Sequence, residues 1–514
     1  MEFHSVLFDH AVAASNGENS QEPAFFHDLN LDQVIEAATA RKDVYNLNPF
    51  FYSPLSDLDT IQYRHEVFQD LGSPAVRELV GQFAEAELVA KFKYRIRDML
   101  DDDMGLGHYH RSRLFLNAAD QYCDSIITLG KGLADIEVQS RGLHDLHDYL
   151  TGYINSESFI ELHKEASRLK GELDAIRYCL LVKGNRITVG AYDGEPDYNQ
   201  DVAATFERFQ QGAVPDYLPA FRDWETYTAA GVIYLVAKVY PEVFSSLDSF
   251  CTQHQAYLDD TIGRFDREIQ FYLAYLDYIE PLCAAGLTVS YPQMSGSSKN
   301  EQARDTFDLA LAAQLTSQGA SVVGNDISLT GPERILVVTG PNNGGKTTLA
   351  RTFGQLHYLA RLGCPVPGRE VRLFLCDQIF SHFERSEHVD ALAGKLQEEL
   401  NRLKADLDRA TPNSVLILNE VFNSTTAQDA LFLSQQVLGQ VTELDALCVY
   451  VTFLDELASM NKKAVSMVST VVPDDPATRT YKIVRRPADG RAYAQALADK
   501  YGLTFARLTA EIRE

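Results

Sequence analysis

The chain has 514 residues, 45% of them hydrophobic and 23% charged, with a net charge of −26. That length exceeds what one hydrophobic core serves, so two or three domains are expected, and the apolar share is that of an ordinary globular protein. The acidic balance excludes a surface that is basic throughout and confines any nucleic-acid contact to a local patch.

The N-terminal run Met1-Glu2-Phe3-His4-Ser5-Val6-Leu7-Phe8 has neither the basic start nor the long apolar stretch of a signal peptide. The most apolar window, residues 229–237, ends at Lys238 and Pro241 and falls far short of the roughly 20 residues that span a bilayer. A cytoplasmic protein with no membrane partner is the expectation. Seven cysteines (Cys123, Cys179, Cys251, Cys283, Cys364, Cys376 and Cys448) are scattered without a C-x-x-C pair or clustered histidines. That usage predicts a reducing compartment and no structural metal.

From about residue 30 to 290 apolar residues recur at intervals of three and four, which predicts helices. The stripe Leu258, Ile262, Phe265, Ile269, Leu273, Leu276, Ile279 predicts one long helix bounded by Pro281. Residues 178–192 break the pattern. Leu180-Leu181-Val182 and Ile187-Thr188-Val189 flank Lys183-Gly184-Asn185-Arg186, the pattern of a β-hairpin insert. Residues 193–211 read as the loop after it. Residues 295–304, polar and rich in turn formers, read as a linker, so a mainly helical region 1–300 is expected before a second domain 301–514. Within the second, strands at 335–339, 371–375, 415–418, 447–452, 465–471 and 481–484 alternate with helices. That order predicts an α/β domain with a largely parallel sheet.

The first of these strands, Ile335-Leu336-Val337-Val338-Thr339, runs into Gly340-Pro341-Asn342-Asn343-Gly344-Gly345-Lys346-Thr347-Thr348. Gly340, Gly345, Lys346 and Thr347 satisfy G-x-x-x-x-G-K-[ST], with the strand before and the helix after that the pattern requires. Glycines let backbone amides converge on phosphate oxygens, and the helix N-terminus adds positive partial charge. Gly340 to Thr348 are therefore expected to bind ATP with Mg²⁺, Lys346 reaching the β and γ phosphates and Thr347 holding the metal.

A second strand ends at Asn419-Glu420. In ATPases with such a loop an acidic residue here supports the Mg²⁺ shell, and a glutamate after it polarises the attacking water. Asn419 can serve the metal only through a bound water and adds no charge, while Glu420 keeps the chemistry. The hydroxyl-rich stretch that follows, with Ser424, Thr425 and Thr426, suits a loop that crosses a dimer interface. Between the two motifs Val389, Leu392, Leu396, Leu400, Leu403 and Leu407 predict an amphipathic helix.

The run Thr339-Gly340-Pro341-Asn342 before Gly344-Gly345-Lys346 resembles the phosphate loop of the MutS-type mismatch-repair ATPases. Asn325-Asp326-Ile327, the stretch 419–426, and the tail Tyr481-Lys482 with Gly490-Arg491-Ala492-Tyr493 follow that family's order. Upstream, Pro49-Phe50-Phe51-Tyr52-Ser53-Pro54-Leu55, Ile61-Gln62-Tyr63-Arg64 and Phe68-Gln69-Asp70-Leu71 resemble the start of its helical core. The resemblance implies an ATPase domain like that of ATP-binding cassettes, preceded by helical levers. It also implies a homodimer whose sites are completed across the interface, with coupling to DNA and to other repair proteins. By position Lys346 and Thr347 would bind phosphate and metal, Glu420 would orient water, and Ser424 to Thr426 would lie near the interface.

Four departures accompany the resemblance. Phe453 stands where the family carries a histidine after the next strand, and Asn419 replaces an aspartate. No signature serine is evident around Ala393-Gly394-Lys395-Leu396. No mismatch-reading domain is expected before the helices, and both Phe-x-Glu runs, Phe83-Ala84-Glu85 and Phe159-Ile160-Glu161, sit inside helical patterns rather than forming an aromatic wedge. A slow ATPase coupled to DNA binding or clamping, without direct mismatch reading, is the expectation. The alternatives are a nucleotide-switched protein acting on protein or RNA partners, and an ATP-binding scaffold without turnover. Lys91, Lys93, Arg95 and Arg97 would favour nucleic acid if they formed a patch, but their period of two spreads them around a helix.

Overall fold

Five apolar segments, rich in β-branched residues, pair side by side as parallel strands in the order Ile379–Phe383, Val415–Asn419, Leu447–Val451, Ile335–Thr339 and Ala464–Val472. Asp475–Arg485 closes one edge antiparallel. The three central strands are buried at every position. A parallel sheet covered on both faces demands that, and it explains why Ile335-Leu336-Val337-Val338 shows no alternation. On one face Leu416, Leu418, Cys448 and Tyr450 pack with Ala430, Val437, Leu438 and Val441 of helix Ala427–Leu444 and Leu403 of helix Lys395–Arg409. On the other, helix Lys346–Arg361 brings Gly354 so close to Ile417 that an added Cβ would lie 2.6 Å from its Cδ1. Parallel running puts the carboxyl ends of the strands, and so Gly340, Glu420 and Thr452, along one rim.

The structure is a computed structural model that describes residues 3–9, 19–99, 107–184, 186–195, 222–384, 394–473 and 475–488. Strand Ile379–Phe383 escaped the sequence reading, while the strand expected at 371–375 is present as Arg369–Phe374 but belongs to a separate four-stranded sheet with Gln293–Ser295, Glu301–Thr306 and Asn325–Leu329, whose other three strands were not read. Residues 295–304, read as a linker, therefore join two strands of one sheet. Their serines form the turn, where Ser295 Oγ accepts from the amides of Ser297 and Ser298. A tight turn and an interdomain linker share that composition, and the chain does not divide at residue 300.

It divides into two compact units instead: one of Phe3, 72–138 and 143–266, the other of 4–71, 139–142 and 267–514 in their described parts. The first unit is helical, with Pro74–Met99, His108–Asp135, Glu157–Asp174 and Pro241–Gln253 among its helices. Ser156 accepts the Phe159 amide and starts one of them. The expected hairpin is present as Tyr178–Lys183 and Arg186–Ala191, with Lys183 paired to Arg186 and Gly184 at φ 63°. Phe83 and Phe159 are each only 2% exposed, so neither can wedge into a base step. The long stripe forms helix Asp260–Ala284. Pro281 lies inside it and does not end it, because the lost amide costs one bond within the last turn.

In the second unit the N-terminal segment is bonded along one side of helix Lys346–Arg361. Arg351 Nε donates to Asp28 O, Gln355 Nε2 to Leu29 O, Tyr358 Oη to Phe51 O and Arg361 Nε to Leu55 O. Past the helix end, the fully buried Arg64 donates to Leu362 O at 2.8 Å. Residues near 30–70 therefore belong with the α/β sheet, because long polar side chains on a buried helix must find acceptors and these carbonyls supply them. Residues 91–97 are helical in backbone.

Candidate functional site

The glycine-rich turn is shaped by backbone that side chains resist. Gly340 has φ 120°, Gly345 has 90°, and Asn343, the residue type that tolerates the left-handed region best after glycine, has 55°. Ser469 braces the turn from the neighbouring strand, its Oγ donating to Gly344 O at 2.6 Å. A Cβ on Gly344 would sit 2.2 Å from that hydroxyl oxygen. Arg479 Nε donates to Asn342 O at 3.0 Å from the edge strand.

Lys346 opens the helix, only 4% exposed. Its Nζ donates to Gly340 O and Pro341 O at 3.1 Å each, stands 3.9 Å from Glu420 Oε1, and lies over the Phe453 ring. Burial lowers the ammonium's pKa and the Glu420 carboxylate opposes that shift. Thr347 Oγ1 donates to Asn419 Oδ1 at 2.9 Å. Glu420 itself has left-handed backbone, φ 53°, and its amide donates to Val451 O. Lys346, Thr347, Asn419 and Glu420, chosen from sequence on two motifs over seventy residues apart, thus meet at one rim of the sheet.

Beside the turn is a feature that sequence reasoning missed, a cavity of about 300 Å³ whose walls include Phe307, Leu311, Val323, Asn325, Thr348 and Tyr481. Asn325 frames it, accepting the Ile483 amide at 2.7 Å and donating to Tyr481 O at 3.1 Å. The signal was present in Asn325-Asp326-Ile327 and Tyr481, but nothing in their spacing placed the two segments together.

Ser424 and Thr426 are exposed and Thr425 is partly so. Thr426 caps helix Ala427–Leu444 by accepting the Asp429 amide. Gly394 precedes helix Lys395–Arg409, whereas Val389, Leu392, Ala393 and the tail residues Gly490 to Tyr493 lie outside the described residues.

A buried lysine at a helix N-terminus, a hydroxyl facing an amide oxygen, and a carboxylate at a strand end can offset a polyphosphate's charge and aim a water. Thr347 and Asn419 offer hard oxygen donors of the kind Mg²⁺ takes. Among the described residues no group of three or more His, Cys, Asp or Glu is arranged to hold a metal ion. No helix among the described residues is long and apolar enough to cross a membrane.

Residues 336–510 match the family model described as MutS domain V. The chain is 29% identical over 186 residues to the DNA mismatch repair protein MutS of Halalkalibacterium halodurans, covering 35% of this chain and 21% of that protein. It is 30% identical over 188 residues to the MutS of Shouchella clausii, covering 36% and 22%. It is also 29% identical over 221 residues to the DNA mismatch repair protein msh3 of Botryotinia fuckeliana, covering 42% and 19%. The matched part spans about a fifth of the length of these relatives.

Proposed function

We propose that this MutS-family protein binds and hydrolyses ATP with Mg²⁺ and couples that cycle to DNA binding or clamping in repair or recombination. The observation that carries the reading is the meeting of Lys346, Thr347, Asn419 and Glu420 around one glycine-rich turn. The adjoining cavity is of a size and polarity to take the base. Lys346 offsets phosphate charge, Thr347 and, through a water, Asn419 hold the metal, and Glu420 orients the attacking water. Mg²⁺, when bound, supplies charge neutralisation of the polyphosphate.

Turnover in this reading is slow. Asn419 contributes no charge, and the Phe453 ring offers no hydrogen bond where the relatives' family carries a histidine, so rate falls while nucleotide binding persists. The exposed segment Ser424, Thr425 and Thr426 meets a second copy of the chain, and the helical unit serves as lever. The names of the relatives, all mismatch-repair proteins, support DNA and other repair proteins as partners.

The test is ATP hydrolysis by the purified protein, alone and with linear, mismatched and branched DNA, with Lys346→Ala as blank. Stimulation by DNA that vanishes in the variant supports the reading, and the preferred DNA defines the task. Nucleotide binding without response to any DNA assigns the cycle to a protein or RNA partner instead.

A further inference from the structure

Glu420 leaves the sheet through a backbone that its own sequence disfavours. Glu420 at φ 53° and Phe422 at 66° are both left-handed, and neither is Gly or Asn. Such a pair persists only where the surroundings over-determine it. Two bonds do so here. The Glu420 amide donates to Val451 O at 2.9 Å, and the Phe422 amide donates to Glu399 Oε1 at 3.1 Å. The Phe422 side chain is fully buried among the apolar residues beneath the loop.

Glu399 comes from helix Lys395–Arg409, with its side chain 12% exposed. It is held from behind. His382 Nε2 stands 3.7 Å from Glu399 Oε1, on the strand that pairs with the strand of Glu420. Arg402 Nε donates to His382 Nδ1 at 3.2 Å and its guanidinium also reaches Phe383 O at 3.0 Å. Since Nδ1 accepts, the ring proton sits on Nε2, facing Glu399. Burial alone would raise the Glu399 carboxyl, but His382, the Phe422 amide and Arg402 outweigh it and hold the pKa below the usual glutamate value. A carboxylate at neutral pH makes the stronger acceptor for that amide.

We propose that Glu399 is a positioning residue for hydrolysis: by holding the Phe422 amide, with His382 and Arg402 fixing its carboxylate, it sets the left-handed turn that aims Glu420 at the Lys346 site. Glu399 then also ties helix Lys395–Arg409 to the chemistry, so displacement of that helix withdraws Glu420. The inference rests on the reading of Glu420 as the group that orients water.

The experiment compares the full chain with Glu399→Ala and Glu399→Gln, each with Glu420 intact and as Glu420→Gln. It reads single-turnover ATP hydrolysis, ATP affinity, and amide hydrogen exchange over residues 420–426. Glu399→Ala should slow single turnover by about ten- to a hundredfold, the range a misplacement of roughly 1 Å produces, with ATP affinity held within about twofold. Exchange over 420–426 should quicken. Glu399→Gln keeps a carbonyl acceptor and should restore both readouts, and on the Glu420→Gln background Glu399→Ala should add no further loss. Unchanged hydrolysis and exchange in Glu399→Ala overturn the proposal, as does a further loss on the Glu420→Gln background. A parent protein that binds but does not hydrolyse ATP defeats the ATPase reading alone. Exchange over 420–426 then decides the positioning, and no change in Glu399→Ala refutes it.

Discussion

Lys346 Nζ lies 4.4 Å from the centroid of the Phe453 ring, on a phenylalanine that remains 47% exposed. A cation over an exposed ring is stabilised by about 0.5–1 kcal/mol, enough to bias where the ammonium rests but not to bar it from a phosphate. The ring has no proton to give. Phe453→His places a donor beside the lysine, and one donor aimed at developing charge is worth roughly a hundredfold in rate. Steady-state hydrolysis should therefore rise by at least about tenfold in Phe453→His, allowing for imperfect placement. A variant no faster than the parent means that the missing donor does not limit turnover.

Asn419 is 7% exposed and accepts the Thr347 hydroxyl. Asn419→Asp has opposite consequences with and without metal. A buried carboxylate lacking a cation is penalised by desolvation, so the metal-free variant should melt below the parent. With Mg²⁺ and ATP the added charge should tighten metal binding by about tenfold, equivalent to roughly 1.4 kcal/mol, and recover the lost stability. Thermal melts and Mg²⁺ titration of ATP binding check both signs.

How far the sequence revealed this site depended on whether the signal was local. The turn from Gly340 to Thr348 and the Asn419-Glu420 strand end were legible, because backbone strain and phosphate chemistry restrict residues at fixed short spacings. The hairpin at Gly184 was legible for the same reason. The Asn325–Tyr481 frame of the cavity was not, since its two hydrogen bonds join residues 156 and 158 positions apart. Nor was Glu399, which lay in plain view on an amphipathic helix, because nothing local says that its carboxylate meets the Phe422 amide. The division at residue 300 failed for a related reason. Composition marks turns, whereas long-range bonds such as those from helix Lys346–Arg361 to Asp28, Leu29, Phe51 and Leu55 assign the N-terminal segment to the sheet.

Gly344→Ala drives a methyl into the Ser469 hydroxyl, whose bond to Gly344 O must break or shift. The loss of one buried hydrogen bond amounts to about 1 kcal/mol of stability. Displacement of the turn should weaken ATP binding by more than tenfold. Pairing it with Ser469→Gly, which empties the space, should recover part of the affinity, as equilibrium titration would show.

His357 Nε2 stands 3.2 Å from Glu301 Oε1 with both side chains wholly buried. Burial pulls the imidazolium's pKa down, but the Glu301 carboxylate and the Cys376 side chain raise it to about 10. Because the folded value lies above the unfolded one of about 6.5, the contribution is fully present below about pH 6.5, shrinks as pH rises and is gone above about pH 10. Denaturant midpoints of the parent should fall from pH 6.5 to 10. In Glu301→Gln that slope should flatten, with a loss of about 3 kcal/mol at pH 6 from the uncompensated partner.

The most direct measurement is calorimetric titration of ATP into the protein with and without Mg²⁺, repeated on Lys346→Ala. One ATP should bind per chain, more tightly with Mg²⁺, and removal of the ammonium should weaken binding by about a hundredfold, near 2.7 kcal/mol. Equal affinity in parent and variant, or no binding by the parent at millimolar ATP, contradicts ATP binding at this turn.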